Sequence, residues 1–259
     1  GLDDFTGQLF VHAIGATGHD VVKYALDVYG ADGDALSCTH DANAWPADLY
    51  GGLPAPRDGE DVILWVQNSH PCTIPAGEIV LNLMGRDTVA PIDRAVGPYA
   101  TLAIRVGEVM PDVAWPQQIE VSAGKHFVRP RYEITTVAND RRIAHMNVER
   151  VDLKPDPGIP DLANLMGKGY ILPAPILPMD TWHSVALPTP MSTCQTSLPV
   201  ALLAIDADGR EVGRLPLGNL PRDHARTVDL KTEMADALAE IDGFGHMELV
   251  YDFAAGGAA

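Results

Sequence analysis

Apolar and polar residues along most of this chain follow the pattern of β-strands. In the clearest stretch, an apolar run at 200–205 leads into Asp-Ala-Asp-Gly at 206–209, and a second run follows at 211–215. Asp and Gly between two apolar runs favour a hairpin, because Gly accepts the positive φ that the turn needs and Asp tolerates the left-handed region. We therefore predict a β-hairpin over these residues.

Apolar runs of strand length recur through the rest of the sequence. Residues 142–153 alternate between two faces, as expected of a strand with one buried and one solvated side. Trp65 lies inside an apolar run, which predicts that it is a core residue. The other predicted strands lie at 9–14, 21–29, 61–68, 78–84, 101–106, 118–121, 127–137, 227–230 and 246–253.

One segment, 232–241, has the spacing of a helix. Met234, Leu238 and Ile241 would share one face of it, and Thr232 stands where an N-cap residue is expected. The sequence therefore predicts a single short helix near the end of the chain.

Many short strands separated by turns predict an all-β protein, and the lack of strand–helix alternation argues against a parallel α/β sheet. The 259 residues allow two domains, and nine of the 21 prolines lie at 155–199. We predict two tandem antiparallel β-sandwich domains of Ig-like type, 1–154 and 155–259. The second would start with the proline-rich segment and contain the one short helix. A pair of two-layer, barrel-like domains is the alternative.

An internal repeat would account for this layout. The run at 21–29 and the run at 201–206 each end in an acidic turn that contains Ala-Asp-Gly. A second similarity links 124–134 with 245–253, where Gly and His precede a strand that contains Tyr and an acidic residue. These similarities are short, and chance and duplication both remain open as explanations.

Charge and hydropathy restrict the partners of the chain. The net charge is −17 and the pI is about 4.7, whereas a nucleic-acid surface needs clustered Lys and Arg. No apolar stretch reaches the roughly 18 residues of a membrane helix. We therefore expect no nucleic-acid partner and no membrane span.

Cysteine usage bears on the compartment. Cys38, Cys72 and Cys194 are few, odd in number and without Cys-x-x-Cys spacing, which favours a reducing compartment over a disulfide-built module. The start of the chain shows no signal peptide. We expect a cytoplasmic protein, or a periplasmic one if a leader has been removed.

Two loop-like segments carry tryptophans beside polar groups. The first is a long polar loop predicted at 36–56, which contains Trp45, and the second contains Asp180, Trp182 and His183. Loops at the end of a sandwich often form binding surfaces, and an aromatic ring with acidic neighbours suits a sugar. The alternative is that these tryptophans only anchor their loops to the core.

Histidines and one aspartate offer a second kind of site. His12, His19, His40 and Asp41 could bind a divalent metal ion if the first strand faces the 36–56 loop, since such a metal needs about three converging N or O ligands. Solvated loop histidines are the simpler interpretation. The Asp-Ala-Asp-Gly turn at 206–209 resembles the start of a calcium loop but has no Glu at the twelfth position, so we expect a plain turn.

No catalytic motif for a serine hydrolase, zincin, P-loop or dinucleotide-binding enzyme occurs in the sequence. We therefore expect a non-catalytic binding or interaction module whose partner is a carbohydrate or a protein. The alternatives are a metal-dependent enzyme using the histidine site and a structural or assembly subunit.

Overall fold

The computed structural model describes residues 14–15, 25–29, 36–40, 49–86, 88–123, 130–138, 141–148, 168–170, 174–189 and 197–252. The chain divides into two compact units, 1–149 (unit 1) and 150–259 (unit 2). Residues 149–167, around the domain boundary we predicted, lie outside the described ranges. Antiparallel strands dominate the described residues, which confirms the predicted all-β class.

The described residues of unit 1 form two larger sheets and one two-stranded sheet. One sheet has the order β10-β9-β4-β7, the other has the order β11-β3-β8-β5-β6, and β1 pairs with β2. The strands are β1 (Ala25–Tyr29), β2 (Leu36–His40), β3 (Leu49–Pro54), β4 (Glu60–Gln67), β5 (Val80–Leu83), β6 (Ala90–Pro91), β7 (Thr101–Arg105), β8 (Gln118–Ser122), β9 (Arg131–Thr136), β10 (Arg141–His145) and β11 (Asn147–Val148), with the short helix α1 (Val106–Val109) after β7.

The two larger sheets of unit 1 enclose one hydrophobic core in a sandwich-like arrangement. Leu64 and Ile104 from the four-stranded sheet belong to the same buried cluster as Tyr50 and Val121 from the five-stranded sheet. Alternate residues of β4, β5 and β7 point into this cluster, as the period-2 pattern requires.

Unit 2 is built on the hairpin predicted at 200–215. The strands β15 and β16 form it, β18 pairs with the other side of β15, and β12 and β13 both pair with β18. A two-stranded ribbon, β14 with β17, forms a second small sheet. The elements are β12 (Lys168–Tyr170), β13 (Ala174–Ile176), β14 (Val185–Ala186), β15 (Ser197–Asp206), β16 (Glu211–Pro221), β17 (Val228–Asp229), α2 (Leu230–Glu233), α3 (Ala235–Leu238) and β18 (Gly245–Asp252).

The ribbon and the two short helices cover one face of the main sheet of unit 2. Ala186 and Val228 from the ribbon and Leu238 from α3 share a buried cluster with Leu202 and Leu217 of the main sheet. Val185, on the outer side of the ribbon, remains exposed to solvent.

The predicted polar loop at 36–56 is wrong at both ends. Residues 36–40 form β2 and residues 49–54 form β3, while 41–48 lie outside the described residues. The Gly51-Gly52 pair, which suggested a loop, instead marks a break in register between β3 and β8, with Gly52 at a φ of 80°. Tyr50 and Leu53 on either side of it are buried, so this segment is a bulged core strand.

The predicted strand at 142–153 also differs, because the chain changes sheets within it. β10 pairs with β9 in one sheet, whereas β11 pairs with β3 in the other. Met146, between them, is fully buried and donates its amide to the Pro130 carbonyl at 3.1 Å. The alternation of apolar residues continues through this crossing, so the pattern alone could not reveal it.

The predicted helix at 232–241 is two four-residue helices, and its predicted cap is wrong. Asp229 is the N-cap of α2, and its carboxylate accepts the amide of Thr232, the residue we had expected to cap. Met234 separates α2 from α3. Met234 and Leu238 are buried and Ile241 packs against the same cluster, as the spacing predicted.

Trp65 is not a core residue. In β4 the buried positions are Val62, Leu64 and Val66, and Trp65 lies on the opposite, outer face, where its Nε1–H donates to the Glu133 carboxylate at 3.0 Å. An indole needs a partner for its N–H when it is partly buried, and Glu133 on the neighbouring β9 supplies it.

None of the described helices is long and apolar enough to cross a membrane.

Candidate functional site

The segment from Pro178 to His183 forms a turn that presents Trp182 to solvent. The amides of Thr181 and Trp182 both donate to the Pro178 carbonyl, at 3.2 and 2.9 Å, which fixes the backbone of the turn. Met179 packs against the hydrophobic core of unit 2 and so attaches the turn to that core. The Trp182 side chain nevertheless remains 56% exposed. An aromatic ring held in this way on a fixed backbone is available for stacking on a ligand.

Asp180 lies two residues before this tryptophan. Its Oδ1 accepts the Thr181 hydroxyl at 3.2 Å, and the residue is exposed. A carboxylate has about four acceptor sites, so Asp180 retains capacity for further donors. The turn therefore carries an acceptor group close in sequence to its exposed aromatic ring.

His183, at the other end of the turn, contacts Asp229 at the start of helix α2. Its Nε2 lies 2.9 Å from Oδ1 of Asp229, the same oxygen that accepts the Thr232 amide. The hydrogen bond from His183 is the main cause that holds the pKa of Asp229 below its usual range. Since Asp229 is ionised at neutral pH, the Nε2 of His183 carries the proton that it donates.

The strand that follows the turn exposes further apolar side chains. Ala186 of β14 points into the core. Val185 of β14 and the next residue after the strand, Leu187, point outward and are 43% and 50% exposed. Leu177, before the turn, is exposed as well. The turn therefore lies between exposed apolar residues on both sides in the sequence.

Of the predicted binding residues, the structure therefore describes Asp180, Trp182 and His183, all on one turn. Trp45 lies outside the described residues, so its role stays a prediction. The contact of His183 with Asp229 was not predicted from the sequence. The sequence could have identified Asp229 as an N-cap, because it lies three residues before Thr232 at the start of an apolar helical pattern.

The predicted metal site is only partly within the described residues. His12, His19 and Asp41 lie outside them, and His40 is the last residue of β2, paired with Ala25. Among the residues that the structure does describe, no group of three or more His, Cys, Asp or Glu side chains could hold a metal ion. The metal hypothesis stays a prediction.

The Asp-Ala-Asp-Gly segment is a hairpin turn. Oδ1 of Asp206 accepts the amides of Asp208 and Arg210, at 3.0 and 2.8 Å, and Oδ2 accepts Nε of Arg210 at 3.0 Å. Gly209 has a φ of 85°, as the turn requires. Both carboxylate oxygens of Asp206 are thus engaged in forming the turn, which is the arrangement we expected from the sequence.

The other described tryptophans, Trp65 and Trp115, make contacts within unit 1. Besides the bond from Trp65 to Glu133, Trp115 stacks under the Arg57 guanidinium, whose carbon lies 4.2 Å from the ring centroid. Trp182 is the described tryptophan with a largely exposed ring.

Comparisons with known proteins identify no family. No family of known proteins matches the sequence, and no curated protein matches it. Among solved structures, the secreted serine protease VesC from Vibrio cholerae matches with 10% sequence identity and a TM-score of 0.16. The match covers 80% of this chain and 46% of that chain, so the chain spans less than half of that protein. A TM-score of this size does not support a shared fold.

Proposed function

We propose that the chain is a non-catalytic binding module that holds a carbohydrate at the Trp182 turn of unit 2. The observation that carries the proposal is the exposure of the Trp182 ring on a backbone fixed by two hydrogen bonds to Pro178. A turn whose backbone is already fixed loses little conformational entropy when it binds a ligand.

The chemistry of the turn supports a sugar as the ligand. One face of a pyranose ring carries C–H groups that stack on an indole, and its edge carries hydroxyl groups. Asp180 supplies carboxylate oxygens that accept hydrogen bonds, and the His183 ring is half-exposed beside Asp229. A few polar groups beside an aromatic surface are what ligand sites generally use to fix orientation.

A glycan array compared with one matched pair of variants tests this proposal. We expect the wild-type chain to bind a subset of glycans and Trp182→Ala to lose that binding by about tenfold or more, as hot-spot tryptophans do. Phe244→Ala is the control, because Phe244 is also an exposed aromatic residue of unit 2, at 62%. It should bind like wild type. An empty array, or equal binding by both variants, would overturn the proposal.

We propose two further features. The sparse cysteines, with a free and exposed thiol at Cys72, support a reducing, cytoplasmic location. The all-β character of both units supports tandem modules of Ig-like type, which a duplication would explain.

A further inference from the structure

We propose that the open edge of β14 binds an extended, basic peptide segment of a partner protein by β-strand addition. The proposal goes beyond carbohydrate binding and does not depend on it, because it uses backbone groups of the ribbon instead of the Trp182 ring. The geometry of the β14–β17 ribbon carries it.

The extended part of the ribbon is longer than its two paired positions. Val185 pairs with Asp229 and Ala186 pairs with Val228. Hydrogen bonds on either side, from the Leu230 amide to the Ser184 carbonyl and from the Arg226 amide to the Pro188 carbonyl, extend the ladder over residues 184–188. These bonds show that the even-numbered residues direct their backbone groups towards β17.

The odd-numbered residues therefore direct their backbone groups away from β17. In an antiparallel ladder the residues between hydrogen-bonded pairs point their N–H and C=O to the opposite edge. The Val185 N–H, the Val185 C=O and the Leu187 N–H have no hydrogen-bond partner among the described residues, while the Leu187 carbonyl accepts the Thr189 hydroxyl at 3.2 Å. Three adjacent groups are thus placed as one edge of a sheet, which is the template that strand addition uses.

The proline at the end of the strand leaves this edge open. Pro188 occupies an even-numbered position, so its missing N–H would have faced β17 and not the free edge. Proline often protects an edge strand by removing a donor, but here it removes none of the three free groups.

The side chains beside this edge define the partner. Val185 and Leu187 stand on the outer face, half exposed, and would contact apolar side chains on an added strand. The chain as a whole has a net charge of −17. A second copy would carry the same net negative charge, whereas a peptide with Lys or Arg beside its apolar residues would be attracted.

The experiment uses a labelled heptapeptide, acetyl-Lys-Lys-Val-Thr-Val-Lys-Lys-amide, and its Glu-for-Lys counterpart, with the full chain. We expect the Lys peptide to bind and to slow hydrogen exchange at the Val185 and Leu187 amides, and the Glu peptide to bind about tenfold more weakly or less. Equal binding of the two peptides, or binding without protection of these amides, would overturn the proposal.

Variants of the chain test whether the peptide binds at this edge. Leu187→Ala should weaken binding of the Lys peptide by about tenfold by removing an apolar contact. Phe244→Ala is the control, because it makes the same kind of truncation at another exposed apolar residue of unit 2 and should have little effect. Val185→Pro removes a free N–H without removing a bond to β17 and should abolish binding. Unchanged thermal midpoints show that the variants are folded. A dimer of the chain that Leu187→Ala dissociates would identify a second copy as the occupant and contradict the peptide.

Discussion

Three tryptophans in the described part of the chain have three different environments. Trp65 donates to Glu133, Trp115 stacks with Arg57, and Trp182 is mostly exposed. The sequence left open whether Trp182 contributes to a binding surface or anchors its loop to the core, and it misassigned Trp65. A long aromatic residue in a strand with apolar residues on both sides gives no alternation from which to choose its face, and the cross-strand partner Glu133 is 68 residues away.

Asp206 is the residue whose charge most clearly supports local structure. The hydrogen bond from the Arg210 amide is the main cause that holds the pKa of Asp206 below its usual range, and the Arg210 side chain adds to it. A carboxyl whose pKa is lower in the folded state stabilises the fold above the unfolded pKa. That stabilisation is lost as the pH falls through the folded-state pKa.

We expect Asp206→Ala to lower the thermal midpoint at neutral pH, and the difference from wild type to shrink as the pH falls below about 3.9, the ordinary pKa of an aspartate. Asp206→Asn keeps an Oδ1 acceptor for the two turn amides and should be less destabilised than the alanine variant. Thermal unfolding monitored by circular dichroism across this pH range measures both. A difference that stays constant down to acid pH would show that the charge of Asp206 does not contribute.

At the scale of elements, the sequence predicted most strands of the described residues to within a few positions. The hairpin β15–β16 and the strands β4, β7 and β8 follow from local patterns, because each has turn residues at its ends and apolar residues within. The bulge at Gly51-Gly52 and the change of sheet at Met146 depend on pairing with strands far away in sequence, which a local pattern does not contain. The same reason explains why the contact of His183 with Asp229, 46 residues later, was not predicted.

The packing of α3 on β16 depends on a glycine. A methyl group added at Gly213 would overlap the Ala237 side chain of α3, and neither residue can move far, since one lies in a paired strand and the other in a packed helix. We expect Gly213→Ala to reduce the free energy of unfolding by about 1–3 kcal/mol, the usual cost of overpacking.

Urea unfolding measures this change, with Gly97→Ala as the matched control. No atom lies within 4 Å of a methyl group added at Gly97. That variant should stay within about 1 kcal/mol of wild type. Equal effects of the two substitutions would mean that the close approach of α3 to β16 does not limit stability.

At the scale of the whole molecule, each unit has its own hydrophobic core. The buried cluster of unit 1 and that of unit 2 share no residue, and each draws on more than one sheet. We therefore expect residues 1–149 and 150–259, expressed separately, each to give a β-type circular dichroism spectrum and cooperative thermal unfolding. A fragment that is unfolded while the full chain is folded would show that the two units are not independent domains.

The binding surface proposed for unit 2 is tested most directly by the indole N–H signals of the four tryptophans in an NMR titration with a glycan selected from the array. The proposal predicts that the Trp182 signal shifts in proportion to saturation, while the signals of Trp65 and Trp115, held by Glu133 and Arg57, stay in place. A shift of the Trp65 or Trp115 signal with a stationary Trp182 signal would contradict the account.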